Sequence, residues 1–220
     1  MQDIKYDLLD RFPTTDVRGD GPVVKVPFDS YEFEVCPVFR LPDGSFLNAH
    51  TKNGGRWGHT HPAAEINWLR AVDGRSLQKA SQLVKMLKAW KRECNVEIRS
   101  ICLETLGILF VDQWQYKDRP TLLWHDWMVR DFFDYAHQFS VGGFVRPAGI
   151  QEWIPAGDWQ SKCLSAYCRA VKACQYEYDD HGNLAIDEWQ KIFGYQFRTE
   201  DRIAPLIAFA NAGLLAGLRQ

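Results

Sequence analysis

Little excess charge of either sign marks this chain. Its 26 basic and 28 acidic residues leave a formal net charge of −2 over 220 residues. That balance gives no whole-protein electrostatic case for nucleic acid or an anionic membrane, so any basic site has to be local. No CxxC pair occurs among the six cysteines (Cys36, Cys94, Cys102, Cys163, Cys168, Cys174), and no signal-peptide pattern follows Met1. Three of these thiols fall in one expected helix, so free thiols in a reducing cytoplasm are expected. No cysteine pair accompanies His50, His59 and His61, which read as surface loop histidines rather than a zinc site. The apolar stretch from Ile203 to Leu218 is short of a membrane span and is interrupted by Pro205 and Asn211, so it reads as a core helix or an oligomer contact. Internal repeats and low-complexity segments are absent.

What is present is a folded composition, 46% hydrophobic and 25% charged, with nine Trp that imply large packed contacts between helices. The length allows one large domain or two small ones. A short helix is expected over 3–11, then a polar, Gly-rich loop over 13–21. Strands are expected at Val23–Phe28, 31–39 and Phe46–Ala49, joined by turn signals at Asp29-Ser30 and Pro42-Asp43-Gly44-Ser45. An irregular loop runs from Thr51 to His61. After Pro62, which suits a first helical turn, helices are expected over roughly 62–72, 76–93, 99–113, 121–139, 159–178, 183–193 and 201–218. Ser76 and Ser100 are cap candidates. The helix over 99–113 is apolar nearly all round and should be central. The Gly- and Pro-rich stretch from Val141 to Asp158 reads as a loop. The fold class is α+β: antiparallel strands over 1–61 packed on a helical lobe over 62–220.

The segment Tyr31-Glu-Phe-Glu-Val-Cys-Pro-Val-Phe-Arg40 organises the first part. Strand alternation puts Glu32 and Glu34 on one face and Tyr31, Phe33 and Val35 on the other. Two neighbouring carboxylates repel unless a cation or basic group sits between them; the plainer reading is a solvated acidic face. Further on, Lys85, Lys88 and Arg92 share a helix face, with Lys91 beside them. Such a stripe is most often a solvated surface. With Ser100 at the start of the next helix, where free N–H groups favour an anion, it also suits a triphosphate, and carboxylates on a nearby strand suit the accompanying metal.

The ordered segments Thr14-Thr-Asp-Val-Arg18, Glu34-Val-Cys-Pro37-Val-Phe39, Asp43-Gly-Ser-Phe46, Asn53-Gly-Gly-Arg-Trp57, Pro62-x-x-Glu65, Lys85-Met-Leu-Lys88-Ala-Trp90-Lys91 and Ser100-x-x-Leu103-Glu104 resemble the bacterial cGAS/DncV-like nucleotidyltransferases of the SMODS group. Trp127-Met-Val-Arg130-Asp131-Phe-Phe133, Trp159-x-Ser-Lys162 and Glu188-Trp-Gln-Lys-Ile-Phe-Gly194 resemble the same group's helical lobe. The resemblance runs from about residue 10 to about 197. It implies a polymerase-β-like enzyme that makes cyclic oligonucleotide messengers from ATP, GTP or other NTPs with Mg²⁺ or Mn²⁺, in anti-phage defence. It also implies residue roles. Glu34 matches the third metal-binding acid, with Glu32 as a recruitable neighbour. Lys88, with Lys85 as alternate, would contact the triphosphate, Ser100 would bond phosphate, and Arg56 and Trp57 would line the base pocket.

The departures matter as much. The family's Gly-Ser phosphate motif and its Asp-x-Asp pair precede the third acid, and nothing upstream of Glu34 matches them. Gly44-Ser45 lies after the strand with no following Asp-x-Asp. Two-metal transfer needs carboxylates that bridge both ions. The expectation is therefore the C-terminal part of such an enzyme, inactive alone. It would self-associate or take a second chain that supplies the missing acids, because an unfinished sheet exposes an edge and apolar surface. The alternatives are a catalytically dead module that binds nucleotide or protein, and an inert helical scaffold.

Overall fold

The computed structural model describes residues 2–51, 54–120, 124–150, 152–195 and 197, and the expected helix over 201–218 lies outside them. The chain divides into two compact units, Met1–Ile66 with Ala148–Ile150, and Asn67–Pro147 with Gln151–Gln220. The architecture is α+β, with small antiparallel sheets and seven helices among the described residues.

In the first unit, α1 (Gln2–Arg11) is followed by a sheet of β1 (Arg18–Asp20), β2 (Val23–Pro27) and β3 (Glu32–Val35), in that order and antiparallel. β2 alternates, burying Val24 and Val26 and turning Lys25 outward. Ile4, Leu8, Leu9, Phe12, Phe28 and Val35 close over Val17, Val24 and Val26 as a small core. A second antiparallel sheet holds β4 (Val38–Arg40), β5 (Phe46–His50) and β6 (Arg56–Thr60).

Several sequence expectations change here. The strand expected over 31–39 is two strands in two sheets, interrupted at Cys36-Pro37, where proline has no N–H to give a ladder. The polar loop over 13–21 contains β1, and the irregular loop over 51–61 contains β6. His59 is therefore a strand residue, half-buried, with Nε2 2.8 Å from the Ser45 hydroxyl. Gly58 looks like a breaker but sits on β6 against side chains of β5: a Cβ there would lie 2.4 Å from Asn48 Oδ1 and would have to push that side chain aside.

In the second unit, α2 (Pro62–Arg75, which begins in the first), α3 (Lys79–Glu93), α4 (Ser100–Gln113), α5 (His125–His137), α6 (Gln160–Tyr178) and α7 (Gly182–Phe193) surround one core. α4 buries Cys102, Leu103, Thr105, Leu106, Gly107, Ile108, Phe110 and Val111, nearly its whole circumference, as its sequence requires. Trp90, fully buried on α3, packs edge-on to Phe133 at 4.9 Å and Trp159 at 6.1 Å. The expected loop from Val141 to Asp158 contains a hairpin, β7 (Val141–Val145) with β8 (Ile154–Asp158). Its glycines are steric necessities as well as breakers: a Cβ on Gly143 would meet the Phe139 carbonyl oxygen at 2.6 Å. Neither serine caps a helix. Ser76 is buried, and α3 starts at Lys79, where Asp73 accepts both the Ser81 N–H (3.0 Å) and the Ser81 hydroxyl (2.6 Å). Arg99 holds the cap position of α4, and Ser100 is already helical. All six cysteines are free thiols. Among the described residues no helix is long and apolar enough to cross a membrane.

Between α5, α6 and α7 lies a half-buried carboxyl pair, Asp126 and Glu177. Burial, then the neighbouring Glu177, pushes Asp126 up to about 7, and burial also raises Glu177. The two carboxyl groups share a hydrogen bond, and Glu177 also accepts the Trp189 indole N–H at 2.7 Å. A raised carboxyl binds more protons folded than unfolded, so stability falls as pH rises from the ordinary carboxylate range towards neutrality. Chemical denaturation across pH 4 to 7 should show that fall (about the interval between the ordinary and raised values). Asp126→Asn, which keeps a donor to Glu177 without the charge, should flatten it and be at least as stable as the parent at neutral pH.

Candidate functional site

The acidic strand comes first. Glu34 lies directly across from Lys25 in the β2–β3 register, and Glu32 across from Pro27. The Lys25 ammonium sits 3.3 Å from Asp20, 3.5 Å from Glu32 and 3.4 Å from Glu34. Glu32 and Glu34 thus share a face, and the cation between them is a lysine of the adjoining strand. Hydrogen bonds to Asp20 and Glu34, then the charge of Glu32, hold the Lys25 pKa above its ordinary value. The face is solvated: the Glu32 and Glu34 side chains are 44% and 55% exposed. Asp16 and Arg18, themselves paired, join Asp20, Lys25 and Glu32 around a charged depression of 370 Å³. On the opposite face Tyr31 and Phe33 pack against Phe28 at 5.2 and 6.0 Å.

This donor set does not fit a divalent metal as it stands. Lys25 holds the position that a cation would take among the three carboxylates. Among the described residues no group of three or more His, Cys, Asp or Glu is arranged to hold a metal ion.

The basic cluster belongs to the second unit. Lys88, Lys91, Arg92, Asn95, Glu97 and Ser100 line a cavity of 610 Å³ at the end of α3 and the start of α4. The 3–4 spacing on α3 puts Lys88, Lys91 and Arg92 on one side, and the turn at Asn95, which takes a left-handed φ of 48°, returns the chain so that α4 opens beside them. Lys91 Nζ donates to the Ser100 hydroxyl at 3.2 Å, and Lys88 pairs with Glu104 at 2.8 Å. Lysine ammonium groups, a hydroxyl and the first N–H groups of a long buried helix converge, a set of donors suited to phosphate oxygens.

Of the residues expected from the sequence, Lys88 and Ser100 meet in this cavity. Lys85 is exposed on α3 and does not line it. Lys91 and Arg92, read from the sequence only as members of the basic stripe, line it too, and Asn95, which the sequence reading did not single out, joins them. Arg56 and Trp57 sit on β6, exposed, with Trp57 edge-on to Phe39 at 5.6 Å. Gly44-Ser45 is a turn in which Ser45 donates both its N–H and its hydroxyl to Asp43, and it plays no phosphate-loop part.

Residues 1–73 match the family model described as the Second Messenger Oligonucleotide or Dinucleotide Synthetase domain, SMODS. A curated relative, the probable cyclic nucleotide synthase IK1_05630 of Bacillus cereus (strain VD146), is 22% identical over 201 residues, 84% of this chain and 57% of that protein. The structure of CdnC from E. coli MS115-1 with ATP superposes with a TM-score of 0.68 at 18% identity, covering 90% of this chain and 72% of that one. GTP-bound DncV of Vibrio cholerae gives a TM-score of 0.68 at 13% identity, covering 89% of this chain and 55% of that one. The chain thus spans little more than half the length of its curated relative. The resemblance to the SMODS group read from the sequence is borne out, and the fold is that of the DncV and CdnC nucleotidyltransferases.

Removing the Lys25 ammonium should take away the cation that Asp20, Glu32 and Glu34 share. Lys25→Met is expected to lower the thermal midpoint at neutral pH, with the loss shrinking in high salt and at a pH low enough to protonate the acids. Adding Glu34→Gln should restore part of it. An equal loss at acidic and neutral pH would mean that packing of the lysine stem, and not its charge, holds the sheet.

Proposed function

We propose that this chain is the third-acid strand and helical lobe of a cyclic-oligonucleotide synthase. It binds the triphosphate of an NTP in the cavity of Lys88, Lys91, Arg92 and Ser100, and transfers no nucleotidyl group by itself. The carrying observation is that cavity: three cationic side chains and a helix-start hydroxyl around a volume that accepts a triphosphate. The relatives favour the same reading, since CdnC was solved with ATP and DncV with GTP.

Lack of turnover follows from the acids. Transfer through two metal ions needs carboxylates that bridge them. Here Glu34 stands without an Asp-x-Asp pair anywhere in the sequence, and the Lys25 ammonium already sits against its face. Turnover therefore calls for carboxylates beyond Glu32 and Glu34. The open edge of β3 and β4 is where added strands would join: each is paired on one side only among the described residues, and Phe33 and Phe39 are 57% and 66% exposed there. We place the pair of chains, or a self-associated form of this one, in the bacterial cytoplasm as part of cyclic-nucleotide signalling.

Equilibrium binding of ATP and GTP to the purified chain tests the cavity. Lys88→Ala and Lys91→Ala should each weaken binding about tenfold, a charge-assisted contact apiece. Binding that survives the double variant would sink the assignment. Incubation of the chain alone with mixed NTPs and Mg²⁺ or Mn²⁺ should yield no linked product, and robust product would overturn the claim of inactivity. Sedimentation should show association, with Phe39→Lys on the open edge shifting it towards monomer.

A further inference from the structure

The β7–β8 hairpin has two unlike faces. On one, Val145 and Ala156 are buried at 2% and 1% exposure, and the Cys102 thiol donates to the Pro155 carbonyl at 3.7 Å. The other is open to solvent. Phe144 is 54% and Trp153 62% exposed, and Arg146 is exposed as well. Val145 pairs with Ile154, so Arg146 and Trp153 stand opposite each other one step beyond the ladder. The Arg146 guanidinium lies 5.6 Å from the Trp153 ring centroid. Phe144, two residues from Arg146 on the same strand, turns the same way. Two aromatic rings and a stacked guanidinium left in water serve no packing purpose in the helical core.

We propose that this face is a stacking platform for a single-stranded oligonucleotide. Bases would lie on Phe144 and Trp153, and Arg146 would meet the phosphate between them. Planar, sequence-tolerant stacking with a cation–π component is how exposed aromatic–arginine sets hold single strands. Charge selects the ligand. The cation of the patch is an arginine whose fork suits phosphate. The hairpin also packs against the segment that opens α4, since a Cβ on Gly157 would touch the Glu97 carbonyl at 3.2 Å. Glu97 and Ser100 of that segment line the cavity of Lys88, Lys91 and Arg92. A duplex keeps its bases stacked and offers no free ring face. A protein partner needs far more area than two rings and one arginine provide.

Fluorescence anisotropy of the full chain with labelled oligouridine, oligothymidine and a short duplex tests this. Single strands of either sugar should bind saturably and the duplex at least about tenfold more weakly. Trp153→Ala should weaken single-strand binding about tenfold or more, Trp153→Phe should retain most of it, and Arg146→Glu should weaken it and flatten its salt dependence. ATP binding, read in parallel, should be unchanged in these variants, which separates a failure of the platform from a failure of the nucleotide cavity. Absence of saturable binding, equal binding of duplex, or indifference to Trp153→Ala would overturn the proposal. So would a Trp153→Ala variant that changes only the sedimentation of the protein, because the patch would then be a protein contact.

Discussion

The burial of α4 round nearly its whole circumference is the constraint on which the second unit depends. A helix with apolar residues round its whole circumference must be covered by neighbours on all faces. α3, α5 and the β7–β8 hairpin supply that cover. Gly107 lets α3 come close, since a Cβ there would already lie 3.3 Å from Leu87 and Val84 side-chain atoms. The consequence reaches the chemistry. With α4 fixed against α3, the start of α4 has to open beside the end of α3, where Lys88, Lys91 and Arg92 emerge. The position of the cationic cavity is set by hydrophobic packing, and the charges occupy ground that the core has defined.

The first unit runs on a different balance. Its core is three valines with α1 residues over them, a small apolar reserve for a sheet. On the outward face three carboxylates crowd together, and Lys25 makes that crowding tolerable by standing within 3.3 to 3.5 Å of each. The pairing is exposed to water, so its direct worth is modest; its importance is that like charges on adjacent strands would otherwise oppose the register that buries Val24 and Val26.

How much of this was legible follows from which forces were local. The helices were read well because each carries its own 3.6-residue period: α4 was expected over 99–113 and lies at Ser100–Gln113. The shared face of Glu32 and Glu34 was legible from alternation alone. What escaped was non-local. β1, β6 and the β7–β8 hairpin are written in glycine, proline and polar residues that read as loop, and only close approach, of the Asn48 and His50 side chains at Gly58 and of the Phe139 backbone at Gly143, shows what a side chain there would meet. The cation between the acids was anticipated in kind, but that it is Lys25 depends on a strand register no local pattern fixes. The serine caps failed for a similar reason: Asp73 reaches across a turn to satisfy α3, a contact invisible to an N-cap rule.

Both candidate sites share one electrostatic habit. In the acidic face Lys25 pairs with the carboxylates, and in the basic cavity Glu104 pairs with Lys88 while Ser100 accepts from Lys91. A ligand entering either place exchanges partners instead of meeting bare charge. A triphosphate approaching Lys88 competes with a carboxylate at 2.8 Å, and because Lys88 is half-exposed that existing pair is weak. The triphosphate brings several charges and can engage Lys91, Arg92 and the α4 N–H groups together, so the exchange favours it. On the acidic face the balance runs the other way. A single divalent ion would have to displace an ammonium that already satisfies three carboxylates, and no further ligands stand ready to complete its shell. The same rule of compensated charge therefore leaves donors for an anionic ligand at the start of α4, and an ammonium on the acidic strand where a metal ion would sit.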